Sequence, residues 1–159
     1  MTITLYNING SPPCNFVRTL AKHLDIDVKL KNLDYSHKEQ FSDEYLKISP
    51  FLKAPAIDDE GFVLYESNAI AYYLLRKYAP DSELYPACIK TRTHIDQILS
   101  SLVTTIHSQT AVFVNKFVDP SKFPKLASYY DRVKRKQPYF EEIYKPVIYS
   151  IEQLFDSLK

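Results

Sequence analysis

Residues 51–75, FLKAPAIDDEGFVLYESNAIAYYLL, decide how this chain folds. A short apolar run that contains Pro55 is followed by an acidic turn ending in Gly61, then by a second apolar run and a helical pattern. Acidic residues and a glycine between two β-prone runs indicate a β-hairpin. Because proline cannot donate to a strand ladder, we expect Pro55 at a strand start or edge, where a tight bend with a cis bond is one option.

Directly after this hairpin, Glu66 and Ser67 open a predicted helix with Ile70, Tyr73 and Leu74 on its apolar side. An edge strand beside a helix N-terminus suits a small peptide that carries a carboxylate. The strand pairs with the amides of the peptide, and the helix amides and the Ser67 hydroxyl face the anion. The stretch therefore predicts a binding site for a small anionic peptide.

The composition of the 159-residue chain argues against several classes of function. A net charge of +1 gives no basic face for nucleic acid, and the two glycines form no phosphate-binding loop. The four histidines are scattered without zinc-ligand spacing, so no metal is expected. Two distant cysteines, a polar start and the lack of a long apolar run indicate a soluble cytoplasmic protein without membrane partners.

The first half of the chain alternates strand and helix patterns. Residues 2–6 resemble a buried strand, and a helix follows with Ser11 as its cap and two prolines at its first positions. Residues 26–33 alternate as a strand does, and residues 43–48 form a short helical turn. With the hairpin and a helix that reaches about Tyr78, the predicted order is β-α-β-α-β-β-α.

Beyond residue 79 the pattern is helical only. Residues 80–87 are a predicted linker bracketed by two prolines. The predicted helices that follow cover residues 89–118 and 119–136, and residues 140–144 and 147–158 form one or two last helices. We therefore expect an α/β domain over residues 1–79 and an all-α domain over residues 88–159.

Several ordered motifs resemble the cytosolic glutathione S-transferases, most closely the insect delta and epsilon classes. These motifs are S-P-P-C at 11–14, I-S-P-x-x-x-A-P-A-I at 48–57, Y-E-S-N-A-I-A-Y-Y-L at 65–74 and P-S-K-F-P-K-L-A-S-Y-Y at 120–130. The resemblance covers nearly the whole chain. It implies a thioredoxin-like N-terminal domain, a helical C-terminal domain and assembly as a homodimer.

The same resemblance implies a glutathione site. Ser11 falls on the catalytic serine whose hydroxyl stabilises the glutathione thiolate, and a hydroxyl at a helix N-terminus does lower the pKa of a neighbouring thiol. Ala54 would bond the cysteinyl backbone just before a cis-proline at Pro55, and Glu66 with Ser67 would hold the γ-glutamyl end. Taken singly, the two serines are plain helix caps; their order around Pro55 favours the glutathione site.

Three positions depart from the delta and epsilon pattern. Leu52 stands where a histidine usually contacts the glycyl end, Gln40 stands near the place of another histidine, and Asn68 replaces an arginine or histidine. Lys53 offers a compensating charge. Because a lost hydrogen bond to a carboxylate costs about 1.5–3 kcal/mol, we expect a weakened glutathione site that includes Gln40, Lys53 and Asn68.

The helical half departs further from the family pattern. Residues 91–97 resemble the start of the first long helix, and from Ser100 onward the sequence already resembles a later, buried helix. About two helices are therefore missing, and we expect a truncated helical C-terminal domain. The missing helices usually wall the apolar pocket; Pro13 and Tyr35 are the predicted contacts to the hydrophobic substrate.

Three functions compete on this evidence. The favoured one is a glutathione transferase that conjugates glutathione to small hydrophobic electrophiles in detoxification, with reduced activity. The alternative is a non-catalytic protein of the same fold that binds glutathione or a hydrophobic ligand, suggested by Leu52, Asn68 and the short helical half. A thiol–disulfide oxidoreductase is disfavoured, because Ser11 occupies the position of the nucleophilic thiol and Cys14 is more simply a packed apolar residue.

Overall fold

The structure is a computed structural model, and it describes residues 2–107 together with Ser128, Arg135, Tyr139, Glu142 and Ile143. The chain divides into two compact units, one of Met1–Ala79 with Tyr139–Lys159 and one of Pro80–Pro138. None of the helices in the described part has the length and apolarity needed to cross a bilayer. Most of the helices predicted beyond residue 107 lie outside the described residues.

A four-stranded mixed sheet forms the centre of the first unit. The elements of this unit are β1 (Ile3–Asn7), α1 (Pro12–His23), β2 (Val28–Asn32), a 3₁₀ helix (Glu39–Phe41), α2 (Asp43–Leu46), β3 (Ala56–Asp59), β4 (Phe62–Tyr65) and α3 (Ser67–Tyr78). The strands run in the order β2-β1-β3-β4, with β1 and β2 parallel and the other neighbours antiparallel. The predicted element order is confirmed, and the arrangement is thioredoxin-like.

One face of the sheet carries the core. Side chains alternate between the two faces of a strand, so Ile3 and Leu5 point to one side while Tyr6 points to the other. On the first side the sheet packs against α1 and α3. The hydrophobic cluster between them consists of seven buried residues: Ile3, Leu5, Val17, Ala21, Ile57, Ile70 and Leu74. On the opposite side the Tyr6 ring lies 5.6 Å from the ring of Tyr45 in α2.

The predicted hairpin is confirmed, and its turn shows why the sequence needs a glycine. Glu60 and Gly61 both have positive φ, 54° and 90°. Two consecutive positive φ values are typical of the two-residue type I′ turn, which matches the twist of the flanking strands. The Gly61 amide also donates to the Asp58 carboxylate at 2.8 Å, which satisfies a group that the ladder leaves unpaired.

A buried carboxylate joins the hairpin to α3. Asp59 is only 3% exposed, and its Oδ2 atom accepts hydrogen bonds from Tyr73 at 2.5 Å and from Lys77 and Tyr78 at 2.7 Å. Burial opposes ionisation, but the hydrogen bonds from Lys77 and the two tyrosines outweigh it and lower the pKa of Asp59 to about 2. The cluster sits at the end of β3 that lies away from Ala56.

In the second unit, α4 (Ile89–Ser101) passes into a π-helical segment, Leu102–His107. The predicted helix is therefore confirmed over its described part, and the π geometry coincides with the β-branched run V-T-T-I at 103–106, a composition that weakens an α-helix. Before α4, Tyr85 is buried; its hydroxyl donates to Asp96 at 3.0 Å and its ring lies under Arg92. The predicted linker thus contributes a side chain to this unit.

Candidate functional site

The register of the sheet brings four separated segments to one end of the first unit. Tyr6, near the end of β1, pairs with Ala56 at the start of β3, and Ala56 also pairs with Tyr65 at the end of β4. Asn7 pairs with Asn32 at the end of β2, and their side chains are hydrogen-bonded at 2.6 Å. The segments that carry the predicted site residues leave or enter the sheet at this same end.

Ser11 caps α1 as predicted. Its backbone is extended (φ −72°, ψ 117°), the side chain accepts the Cys14 amide at 3.5 Å, and prolines occupy the first two helical positions. The hydroxyl is half-buried and lies at the positive end of the helix dipole. By accepting a bond the oxygen uses only a lone pair, so the hydroxyl hydrogen stays available to donate to a ligand.

Cys14 lies one turn further along α1 and is packed in the core. It is fully buried, and its sulfur accepts the Ile8 amide at 3.5 Å. Burial raises the pKa of the Cys14 thiol despite the opposing effects of the nearby Ser11 hydroxyl, the Ile8 amide and the charge of Arg18. A buried thiol with a raised pKa is a poor nucleophile, which disfavours thiol–disulfide exchange.

Pro55 directly precedes β3, and the Ala54–Pro55 peptide bond is cis. The expectation of an edge strand needs a correction, because β3 lies between β1 and β4 in the sheet. Both ladders of β3 end at Ala56, so the half-buried Ala54 lies beyond them. The main chain available to a peptide ligand is therefore this lead-in to the strand and not a free strand edge.

Glu66 and Ser67 open α3, as predicted. Glu66 is the N-cap with φ 70° and ψ 114°, and Ser67 is the first helical residue. Side chains other than glycine rarely adopt this backbone conformation, which costs about 1–3 kcal/mol and occurs preferentially at ligand sites. The Glu66 side chain is exposed and makes no capping bond to the helix. The first amides of α3 thus open towards the end of the sheet where Ser11 and Ala54 lie.

Four further residues lie at the margins of the site. Leu52 is half-buried with φ 57°, and Lys53 is exposed. Gln40 belongs to the 3₁₀ helix and is only 3% exposed; among the described residues its Oε1 atom has no hydrogen-bond partner. Asn68 is half-buried on the first turn of α3 and makes a contact of its own. Their predicted contacts to glutathione stay predictions.

The two residues predicted to contact the hydrophobic substrate lie on different segments. Pro13 is half-buried in the first turn of α1, and Tyr35 is 65% exposed in the turn after β2. That turn is organised by Asp34, which accepts bonds from Ser36 and His37; the hydrogen bonds from these two residues hold the pKa of Asp34 well below its usual range. The role of Pro13 and Tyr35 stays a prediction.

Sequence reasoning missed two side chains behind the site. Tyr45 of α2 is 3% exposed and donates its hydroxyl hydrogen to the Lys53 carbonyl at 2.8 Å. Ser49 is 1% exposed, and its hydroxyl accepts the Lys53 amide at 3.4 Å. The only sequence signal was weak: two polar hydroxyl residues within the short segment that leads to Pro50.

Comparison with known proteins relates the first half of the chain to a known family. Residues 1–76 match the family described as glutathione S-transferase, N-terminal domain. The chain is 33% identical to glutathione S-transferase D7 of Anopheles gambiae, with 80% of this chain and 61% of the relative covered. It is 35% identical to glutathione S-transferase theta-3 of Mus musculus, with 68% and 45% covered. It also resembles the solved structure of a Nilaparvata lugens delta-class glutathione transferase, at a TM-score of 0.81, 25% identity and 99% and 100% coverage.

The chain spans 61% and 45% of the length of these two curated relatives. The likeness to the solved structure agrees with the thioredoxin-like arrangement of the first unit. Residues 1–76 therefore form a glutathione S-transferase N-terminal domain.

Proposed function

We propose that the chain is a glutathione transferase that conjugates glutathione to small hydrophobic electrophiles. One observation carries the proposal: a serine hydroxyl at a helix N-terminus, a main-chain segment beyond the strand ladders and a second helix N-terminus lie at one end of the sheet. These three features match the thiol, the peptide backbone and the carboxylate of glutathione. The predicted glutathione-binding set is Ser11, Gln40, Lys53, Ala54, Pro55, Glu66, Ser67 and Asn68.

Each group has a chemical role in this proposal. The Ser11 hydroxyl donates to the glutathione sulfur and, with the dipole of α1, lowers the pKa of the thiol so that it loses its proton near neutral pH. The thiolate then attacks an electrophilic carbon, a carbon–sulfur bond forms, and the leaving group departs with its bonding electrons. Ala54 pairs with the cysteinyl backbone, and Ser67 with the first amides of α3 holds the γ-glutamyl carboxylate.

A glutathione-binding protein without catalysis is the second candidate. It is favoured by Leu52, an aliphatic residue at the margin of the site, and by the sequence of the helical half, which lacks about two helices of the family pattern. In this case the same residues of the N-terminal domain bind the peptide, but the hydrophobic pocket is too incomplete to place an electrophile near the sulfur. The two candidates differ in turnover and not in glutathione affinity.

The test combines calorimetric titration of glutathione with conjugation of a generic aryl halide. The wild type, Ser11→Ala and Ser11→Thr are compared; Ser11→Thr is the control because it keeps both a hydroxyl and a helix cap. We expect Ser11→Ala to bind glutathione within a few-fold of wild type but to lose about 10²-fold or more in rate. Equal, background rates for wild type and Ser11→Ala, together with binding, favour the non-catalytic candidate. Lack of binding overturns both.

The reduced helical half, the homodimer, the role in detoxification and the cytoplasmic location are further parts of the proposal. They are supported by the family match of residues 1–76 and by the sequence resemblance to the delta and epsilon classes. Light scattering after size exclusion tests the dimer directly: a mass of twice 18.5 kDa supports it, and a mass of 18.5 kDa contradicts it.

A further inference from the structure

Two buried side chains form hydrogen bonds with the main chain of the segment that leads into the glutathione site. The Lys53 carbonyl accepts the Tyr45 hydroxyl hydrogen at 2.8 Å, and the Lys53 amide donates to the Ser49 hydroxyl at 3.4 Å. The Leu52 amide donates to the Ser49 carbonyl at 2.9 Å. Within the described residues, Tyr45 and Ser49 are the side chains that hydrogen-bond to residues 51–54.

Tyr45 and Ser49, which make these bonds, are themselves held by burial and by contacts of their own. Tyr45 is 3% exposed and packs on the Tyr6 ring of β1, at a centroid distance of 5.6 Å. The Ser49 amide in turn donates to the Tyr45 carbonyl at 2.8 Å, so the two residues hold each other. Burial raises the pKa of the Tyr45 phenol, so the hydroxyl keeps its hydrogen and remains a donor across the neutral range. The packing of Tyr45 on β1 therefore holds the side chains that bond to Lys53 in place.

Residues 51–54, which these bonds hold, need such support because their backbone is strained. Leu52 adopts φ 57°, a left-handed conformation that is unfavourable for a leucine. A strained residue persists only where its surroundings over-determine it. The chain then passes through Lys53, which is exposed, to Ala54, whose backbone lies beyond both ladders of β3. Without the bonds to Lys53, the orientation of the Ala54 peptide group would be fixed from one side only, by the strand ladders that begin at Ala56.

We infer that Tyr45 is a positioning residue for glutathione, acting with Ser49 through the Lys53 peptide to orient the Ala54 main chain that pairs with the cysteinyl backbone. This inference rests on the proposed function. The hydroxyl of Tyr45 touches no substrate in this role; it sets the direction in which the Ala54 carbonyl and amide point. A main chain held in the bound geometry loses less entropy when the ligand binds, which raises affinity.

The variant Tyr45→Phe tests the inference, because it removes one hydroxyl and keeps the ring that packs on Tyr6. Tyr78→Phe is the matched control: it removes a phenol hydrogen bond of 2.7 Å to Asp59, at the other end of β3. The measurements are the glutathione Kd by calorimetry, KM and kcat for conjugation, the thermal midpoint, and amide hydrogen exchange of residues 51–54.

We expect both variants to be folded and less stable than wild type. Tyr45→Phe should weaken glutathione binding by about 2- to 10-fold, the equivalent of one hydrogen bond, with KM rising more than kcat falls. It should also speed exchange at Leu52 and Lys53, and Tyr78→Phe should do neither. Ser49→Ala should follow Tyr45→Phe in direction.

Each outcome decides a different question. If wild type binds glutathione and the two Phe variants bind it equally well, the positioning role of Tyr45 is wrong and the proposed function stands. If wild type does not bind glutathione, the proposed function is wrong and the positioning role falls with it, whatever the exchange rates show.

Discussion

Tyr6 on β1 and Ala56 on β3 form the last pair of an antiparallel ladder. This single pairing puts the loop that carries Ser11 and the segment that carries Ala54 at the same end of the sheet, although more than 40 residues separate them in the chain. Because Ala56 also pairs with Tyr65, the start of α3 joins them. The candidate site is thus a consequence of the register of the sheet.

Replacing Glu66 by glycine should separate backbone strain from ligand binding. Glycine adopts φ 70° without penalty, so we expect the free energy of unfolding to be unchanged or up to about 1 kcal/mol higher. Loss of the carboxylate should raise the glutathione Kd about tenfold. Glu60→Gly is the control, since Glu60 also has positive φ, 54°, but lies in the hairpin turn. Equal Kd values for the two variants would contradict a ligand role for Glu66.

Acid should destabilise the protein through Asp59. The pKa of this carboxyl is lowered to about 2, below its ordinary value of 3.8, so its contribution to stability is complete above about pH 4 and is lost as the pH falls towards 2. Urea midpoints measured from pH 5 to pH 2 should fall for wild type and fall less steeply for Asp59→Asn. Asp27→Asn, an exposed replacement, is the control and should follow wild type. A wild-type slope retained in Asp59→Asn would refute the assignment.

The two cysteines should react at very different rates. Cys88 is exposed at the start of α4, where the nearby Thr91 hydroxyl and the amides of Thr91 and Lys90 lower the pKa of its thiol. Cys14 is buried with a raised pKa. Alkylation of the native protein, mapped by mass spectrometry, should modify Cys88 first and leave Cys14 intact until urea unfolds the chain. Rapid labelling that survives in Cys88→Ser would contradict the burial of Cys14.

Replacing Gln40 by leucine should change the stability of the protein and its affinity for glutathione in opposite directions. Its Oε1 atom is buried and lacks a partner among the described residues, so Gln40→Leu removes the cost of an unpaired polar atom and should leave the free energy of unfolding equal or higher by about 1 kcal/mol. If the amide contacts glutathione, the same change should raise the Kd by about 3- to 10-fold. Gln97→Leu on the exposed side of α4 controls for the substitution itself and should alter neither quantity. An unchanged Kd in Gln40→Leu would remove this residue from the site.

The elements of the first unit were predictable because their signals are local. Ser11 and two prolines define the start of α1, and Gly61 supplies one of the two positive φ values that the hairpin turn requires. Each of these choices is made by contacts within a few residues of the chain, so a single sequence carries the information. The register of the sheet has no such local signal. The strand start expected at Pro55 is confirmed, but the expected edge position is wrong, because β3 lies between β1 and β4.

The sequence by itself determined the caps, the hairpin, the order of the elements and the resemblance that pointed to glutathione. Only the tertiary structure decided that β3 is an inner strand, that Glu66 and Leu52 carry strained backbones, and that Tyr45 reaches Lys53. The physical reason is the distance along the chain over which the stabilising contacts act. Caps and turns are stabilised by neighbours along the chain, whereas strand order, strain and buried hydrogen bonds exist only when distant segments pack together and exclude water.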